Sequence, residues 1–506
     1  MNVKEVLRQL NLGNSVAEED RDLENYFVET ETFRALIADE GDVIFGDKGT
    51  GKTALYKILT RRYRSIPALD KVEVVTAFNP TGDSVFQRLA MWEVLTEGQY
   101  ITVWKSYVLS LAGNWLLQIY EDNFTPSMEK LDELLRRAGL RTADDQPNTV
   151  FSKLVNLVKR IAAPKSAGVE VSFDEAGLPV LTPQVEFADH VSEDENEFVI
   201  QHTYSLRLLN DALEDADLSV WLILDRLDEA FQGYPKTEIP ALRALLRTYL
   251  DMKEFDRIKL KLFVRRDLFR KITQFDDEGF VNLTHINTRK IEVDWDDEDL
   301  MNLLLKRINT NEEFARTLGL GGLSADEVFY TLFPDQVELG GGRARTWNWM
   351  LSRIRDGNGV TPPRNLIDLV KKAQKEQLRR EERSSRDFEQ QGTLITGEAL
   401  KSALKKLSEE RVEDTLLAES GAYSKYIERF RNGKAEHNGD SIMNYLDLPA
   451  HEARAVTKVL QEMGFLEQTG ETYKVPMLYR DGLNIRRGKA FQVAELKLPL
   501  PNNESV

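Results

Sequence analysis

Eight consecutive residues, Gly46-Asp47-Lys48-Gly49-Thr50-Gly51-Lys52-Thr53, set three glycines, an ammonium and hydroxyls in the order G-x-x-x-x-G-K-[ST]. That pattern suits a phosphate chain. The glycines permit a tight turn whose backbone N–H groups enclose a β-phosphate, and the N-terminus of a following helix adds a positive dipole. Lys52 is placed to reach the β- and γ-phosphates and the Thr53 hydroxyl to ligate magnesium. The motif requires a buried strand before it and a helix after it. Gly41-Asp42-Val43-Ile44-Phe45-Gly46 reads as that strand and Thr53 to about Arg64 as that helix.

A second constellation, Trp221-Leu222-Ile223-Leu224-Asp225-Arg226-Leu227-Asp228-Glu229, ends a nearly all-apolar run in acids. Buried on both faces, such a strand belongs in a parallel sheet and delivers Asp225 at its carboxyl end, where it can hold the Mg²⁺ shell. Asp228 and Glu229 lie one turn further. Either can polarise a water that attacks a γ-phosphate, with Glu229 the first choice and Asp228 the reserve. An acid cluster after a strand can also serve only as a helix N-cap.

Two arginine positions complete the set. Arg265-Arg266-Asp267 follows the run Arg257 to Val264, so Arg265 or Arg266 can read a γ-phosphate or act as an arginine finger, against the alternative of a surface ion pair with Asp267. Pro362-Pro363-Arg364 opens a helix with proline in its first turn, and Arg364 there can bring a helical lid onto a nucleotide. The five histidines show no metal-ligand spacing and read as structural.

The elements that must position these residues follow from periodicity. Strands are expected at 41–46, 71–78, 219–225, 257–264 and 289–293, giving an α/β fold with a parallel sheet core of the P-loop NTPase type, AAA+-like. Five parts are expected: a helical segment at 1–40, a core at 41–90 and 196–295, an insertion at 91–195, a helical lid at 296–388, and a winged-helix-like domain at 389–506. The insertion holds a Trp- and Leu-rich helix from Trp104 to Tyr120, a polar helix pair, and a hairpin of 169–173 with 178–181. The last part runs through helices at 398–407 and 450–463 into two short strands around Thr469-Gly470.

Composition narrows the partners. The 506 residues include no cysteine, which excludes disulfides, thiolate metal sites and cysteine nucleophiles. A net charge of −17 repels polyanions, so nucleic-acid contact needs a local basic face. Residues from 391 onward carry 16 basic and 17 acidic side chains, making them the part least hostile to DNA, with Arg480, Arg486, Arg487 and Lys489 clustered after the expected wing. Winged helices also dock proteins. The basic run from Lys371 to Arg386 is interrupted by glutamates and reads as a solvated helix face. Arg343, Arg345, Trp347, Trp349 and Met350 mix arginines with aromatics after three glycines; a phosphate or interface contact is open there, although Trp347 and Met350 have core spacing. With no leader-like or membrane-spanning apolar run, the expectation is a cytoplasmic protein with no membrane contact.

The set GDKGTGKTAL (Gly46 to Leu55) preceded by YFVET, ILDRLDEAF (Ile223 to Phe231), FVRRDLF (Phe263 to Phe269), HINTRKIEVDW (His285 to Trp295) and PPRNLIDL (Pro362 to Leu369) resembles the FunZ-type bacterial P-loop ATPases, which are AAA+-like and related in style to STAND NTPases. The resemblance covers about residues 20–380. It implies ATP and Mg²⁺ as ligands, Asp225 as the Walker B acid, Arg265 or Arg266 in the sensor-1 region, and Arg364 at the sensor-2 place. It further implies a setting in anti-phage defence. A homo-oligomer is expected, with a partner effector protein or DNA engaged through the near-neutral C-terminal domain. AAA+ proteins commonly carry Asp-Glu at the strand end, whereas here Asp225-Arg226 ends the strand and Asp228-Glu229 follows, so the choice of base stays open. No N-K-x-D pattern for guanine is present, which favours ATP over GTP.

Overall fold

The computed structural model describes residues 2–78, 95–121, 123–141, 201–230, 235–273 and 279–491, with 150, 154, 172–173 and 179–180 besides. The chain forms two compact units, Glu29–Asp294 and Met1–Val28 with Trp295–Val506.

The first unit is built on a five-stranded sheet of β1 (Val43–Gly46), β2 (Val72–Phe78), β5 (Ser219–Leu224), β6 (Ile258–Arg265) and β7 (Lys290–Glu292) in the order β2-β5-β6-β1-β7, every neighbouring pair parallel. β1 is buried throughout and β5 nearly so, as their unbroken apolar runs require when helices cover both faces. The chain leaves β1 for β2 at one edge, returns through β5 and β6, and passes β1 to reach β7 on the other side. Crossovers therefore diverge at β1, and a crevice forms beyond its carboxyl end. This is an α/β fold of the P-loop NTPase, AAA+-like type.

Helices flank the sheet. Lys52–Arg62 follows β1 after the loop 47–51. Glu97–Tyr120 begins earlier than the Trp104 expected from apolar spacing, because Thr96 and Gln99 close a capping box that satisfies its first N–H groups. Its Trp104 Nε1 donates to Ala241 O at 2.8 Å and its Tyr107 hydroxyl to Ala77 O, so it shares the hydrophobic core of β1, β5 and β6. Two-residue strands β3 (Ser172–Phe173) and β4 (Pro179–Val180) pair antiparallel, as the hairpin pattern anticipates.

In the second unit, helix Val3–Gln9 packs on the long helix Pro363–Arg383. Four further strands, β8 (Lys434–His437), β9 (Glu467–Thr469), β10 (Thr472–Lys474) and β11 (Arg486–Lys489), form a sheet in the order β11-β8-β10-β9. Helices Gly439–Leu446 and Ala450–Glu462 lie in sequence between β8 and the β9–β10 hairpin. Among the described residues no helix is long and apolar enough to cross a membrane.

Candidate functional site

The phosphate-loop residues stand where the motif demands. β1 ends at Gly46, and the helix starts at Lys52 after Gly49 and Gly51, whose φ angles of 79° and 102° only glycine adopts at little cost. Gly46 is required for a different reason: a Cβ there would come within 2.7 Å of Thr50 Oγ1 and 3.2 Å of Val293 Cβ. Buried Thr50 donates its hydroxyl to Asp47 O at 2.8 Å and pins the turn. The Lys52 ammonium donates to Gly46 O at 3.0 Å and Asp47 O at 2.8 Å, so it lies over the loop. Lys48 is exposed, and Thr53, in the first helical turn, is half-buried.

Asp225 follows the last residue of β5 and is 2% exposed. β6 separates β5 from β1, so Asp225 faces the loop across one strand, about 10 Å away laterally at two strand spacings. Thr53 and Asp225 supply the hard oxygens that Mg²⁺ takes from a protein when substrate phosphates and water complete its shell, so the donor set fits the ion.

Arg226 adopts φ +57° between the strand and the helix Leu227–Ala230. Its Nη1 lies 3.2 Å from Glu229 Oε2, one turn further along. Glu229 is exposed. The side chain of Asp228 lies outside the described atoms.

The two arginines after β6 differ sharply. Arg265 is the register partner of Gly46 and grips the exposed Asp267 through two bonds of 3.0 and 2.9 Å. Arg266 instead donates Nε to Asp47 of the loop at 3.0 Å and Nη2 to Glu292 of β7, and lies over the Phe45 ring at 4.9 Å. Burial works against its charge, but Glu292 and Asp47 outweigh it and raise its pKa. The sequence treats the two as alternatives; the geometry makes Arg266 a brace for the loop and leaves Arg265 on the strand end beside it.

Arg364 belongs to the second unit. It lies in the first turn of Pro363–Arg383, where its buried Nε has no hydrogen-bond partner. Burial and then Arg411 lower its pKa, with Glu18 and Asp368 opposing. A guanidinium with its buried Nε donor left unmade is suited to an anion.

Sequence reasoning missed a charged cluster at the opposite end of β1. Lys261, with no exposed surface, donates to Asp39 Oδ1 at 2.6 Å, Gly41 O at 2.8 Å and Asp42 Oδ1 at 2.9 Å, and its Nζ lies 4.1 Å from the centre of the Trp221 ring. Arg289 binds Asp42 through bonds of 2.9 and 3.0 Å, and Tyr249 donates to it at 3.0 Å. The nearest signal was the unusual lysine in the Lys259 to Val264 run.

No protein-family model matches the sequence, and no curated protein does. Among solved structures, the chain is similar to the Aeropyrum pernix ORC1 protein in complex with DNA, at 12% identity over 90% of this chain and 92% of that one, with a TM-score of 0.33. The Aeropyrum pernix ORC2 protein also matches at 12% identity over 90% of this chain. Its ADPNP–ADP complexes are covered to 92% with a TM-score of 0.28, and its ADP form to 89% with 0.31. At such values the site is read from this chain's own residues.

Proposed function

We propose that this chain is a magnesium-dependent ATPase that couples ATP binding and hydrolysis to a conformational change or to assembly as a homo-oligomer. The observation that carries the reading is the Lys52 ammonium resting on the carbonyls of Gly46 and Asp47, at the helix N-terminus that follows a buried parallel strand. Phosphate oxygens there would replace the carbonyls as its acceptors, and N–H groups of the loop and of the helix N-terminus would add donors to the same charge. Thr53 and Asp225 would hold Mg²⁺, which when bound offsets charge on the phosphate oxygens. Glu229, with Asp228 in reserve, would orient and deprotonate the attacking water. Arg265 would contact the γ-phosphate.

The motif set from Gly46 to Leu369 supports placing the chain with the FunZ-type ATPases, and with that a cytoplasmic role in defence against phage, exerted on an effector protein or DNA through the C-terminal winged-helix-like part. Lys52→Ala tests the nucleotide site: titration with a fluorescent ATP analogue should show binding or turnover lost in a folded protein. Unchanged affinity and turnover would overturn the assignment. Native mass spectrometry with and without ATP and Mg²⁺ tests assembly.

The Arg226–Glu229 ion pair favours a second reading, a slow-turnover nucleotide-gated sensor or adaptor. A base occupied by an arginine works only after that pair opens. Steady-state turnover separates the readings: an appreciable rate stimulated by a partner or DNA supports the motor, and a single slow turnover with a large conformational change supports the switch.

A further inference from the structure

Glu338 is one carboxylate shared by several donors. It accepts from Trp349 Nε1 at 3.4 Å and pairs with Arg343 Nη1 at 3.3 Å and Arg353 Nη2 at 3.5 Å. Arg353 is largely buried and lies over the Trp349 ring at 4.3 Å, which fixes the plane of its guanidinium. The helix that carries both, Thr346–Ile354, packs against Met477–Arg480. There Arg480, read from the sequence as part of a surface cluster, is only 8% exposed: its Nε donates to Val475 O at 2.8 Å, and its Nη2 is buried with no hydrogen-bond partner. Arg487, exposed on β11, is the fourth guanidinium.

Arg343, Arg480 and Arg487 each repel Arg353, and Arg487 also repels Arg480. After burial itself, and against Glu338, it is Arg487, Arg480 and Arg343 that hold the Arg353 pKa below the usual arginine value. Glu436, Glu467 and Asp481 lie around Arg480, but Glu436 is flanked in the sheet by Lys474 and Lys489, and Glu467 by Lys474. A buried donor left unmade and like charges held together both cost stability, and an anion placed among them relieves both. Guanidinium forks match phosphate geometry better than any other group of the protein.

We propose that Arg343, Arg353, Arg480 and Arg487 form a phosphate site in the second unit, and that its ligand is the phosphodiester backbone of nucleic acid. The basic residues do not close around one ion. They continue as an exposed strip along β11 through Arg486, Arg487 and Lys489, a row suited to successive phosphates. In a chain of net charge −17, retention of a polyanion depends on such a local face. The site rests on the proposed engagement of DNA by the C-terminal part and supplies the residues that would carry it, none of which belongs to the phosphate loop.

The test is fluorescence anisotropy of the full-length protein with a short labelled duplex DNA of mixed sequence. For about four neutralised phosphates, affinity should fall about 100-fold between roughly 50 and 200 mM salt. The exposed pair R343E/R487E should weaken binding at least about tenfold and lower the salt slope by about 2, with ATP turnover unchanged. Arg353→Lys keeps the charge but loses the fork, and should fall between the two. Inorganic phosphate should compete only weakly. Absence of salt-dependent duplex binding, an unaltered slope in R343E/R487E, saturation by inorganic phosphate alone, or equal affinity for polyglutamate would each overturn the proposal.

Discussion

Arg265 and Gly46 are register partners across β6 and β1, so the residue that ends one strand stands beside the first glycine of the phosphate loop on the next. The neighbouring Arg266 turns toward the loop itself and holds Asp47. Consecutive arginines with different partners give separable outcomes. Arg265→Ala should keep ATP affinity within a few-fold and lower turnover about 100-fold or more, as loss of a donor aimed at transition-state charge does. Arg266→Ala should instead raise the KM for ATP several-fold, because the loop loses its anchor. Steady-state kinetics on both variants decides it, and the reverse pattern would exchange the roles.

The Arg226–Glu229 pair yields a second outcome. Glu229→Gln should bind ATP with near-normal affinity and lose hydrolysis, since shape is kept and the base removed. Arg226→Gly should raise basal turnover: it removes the arginine's ion pair with Glu229 and places at φ +57° the residue that tolerates it best. If Glu229→Gln hydrolyses normally and Asp228→Asn does not, Asp228 is the base.

Gly46→Ala should remove nucleotide binding without unfolding the sheet. Its methyl would sit 2.7 Å from Thr50 Oγ1, and the cheapest relief is to push the loop away from the helix N-terminus. Calorimetric titration with ATP and Mg²⁺ should show the loss while the circular dichroism spectrum stays unchanged.

The loop, its strand and the five-stranded core were legible because their signals are local: glycines at fixed spacing, β-branched and apolar runs, acids at a strand end. What escaped depends on residues far apart in the chain. Arg266 meets Asp47 across 219 positions, so nothing near either residue distinguishes a brace from a sensor. β11, Arg-Arg-Gly-Lys, has no apolar alternation and becomes a strand through its pairing with β8. Arg480 looked like surface charge, yet its helix packs against the distant Thr346–Ile354 and leaves it buried. Lys261 sits mid-strand, and its partners Asp39 and Asp42 lie about 220 residues earlier.

That last cluster gives a pH prediction. Burial alone would raise the Asp42 pKa, but hydrogen bonds from Arg289 and the charge of Lys261 overcome it and bring the value to about 2, from an ordinary 3.8. A depressed carboxylate contributes stability that is complete above its unfolded pKa and vanishes as pH falls through the folded one. The contribution, about 2 kcal/mol for a group this buried, should therefore be present at neutral pH and drain away between about pH 4 and pH 2. Asp42→Asn loses it at every pH and also leaves Lys261 buried with a weakened counter-charge, a defect of about 3–5 kcal/mol. Melting followed by scanning fluorimetry should show Asp42→Asn roughly 10 °C below wild type at pH 7. The gap should narrow steadily below about pH 4, as wild type loses the charge that the variant never had. A gap that stays constant down to pH 2 would show that the Asp42 charge does not hold the base of β1 and β6 together.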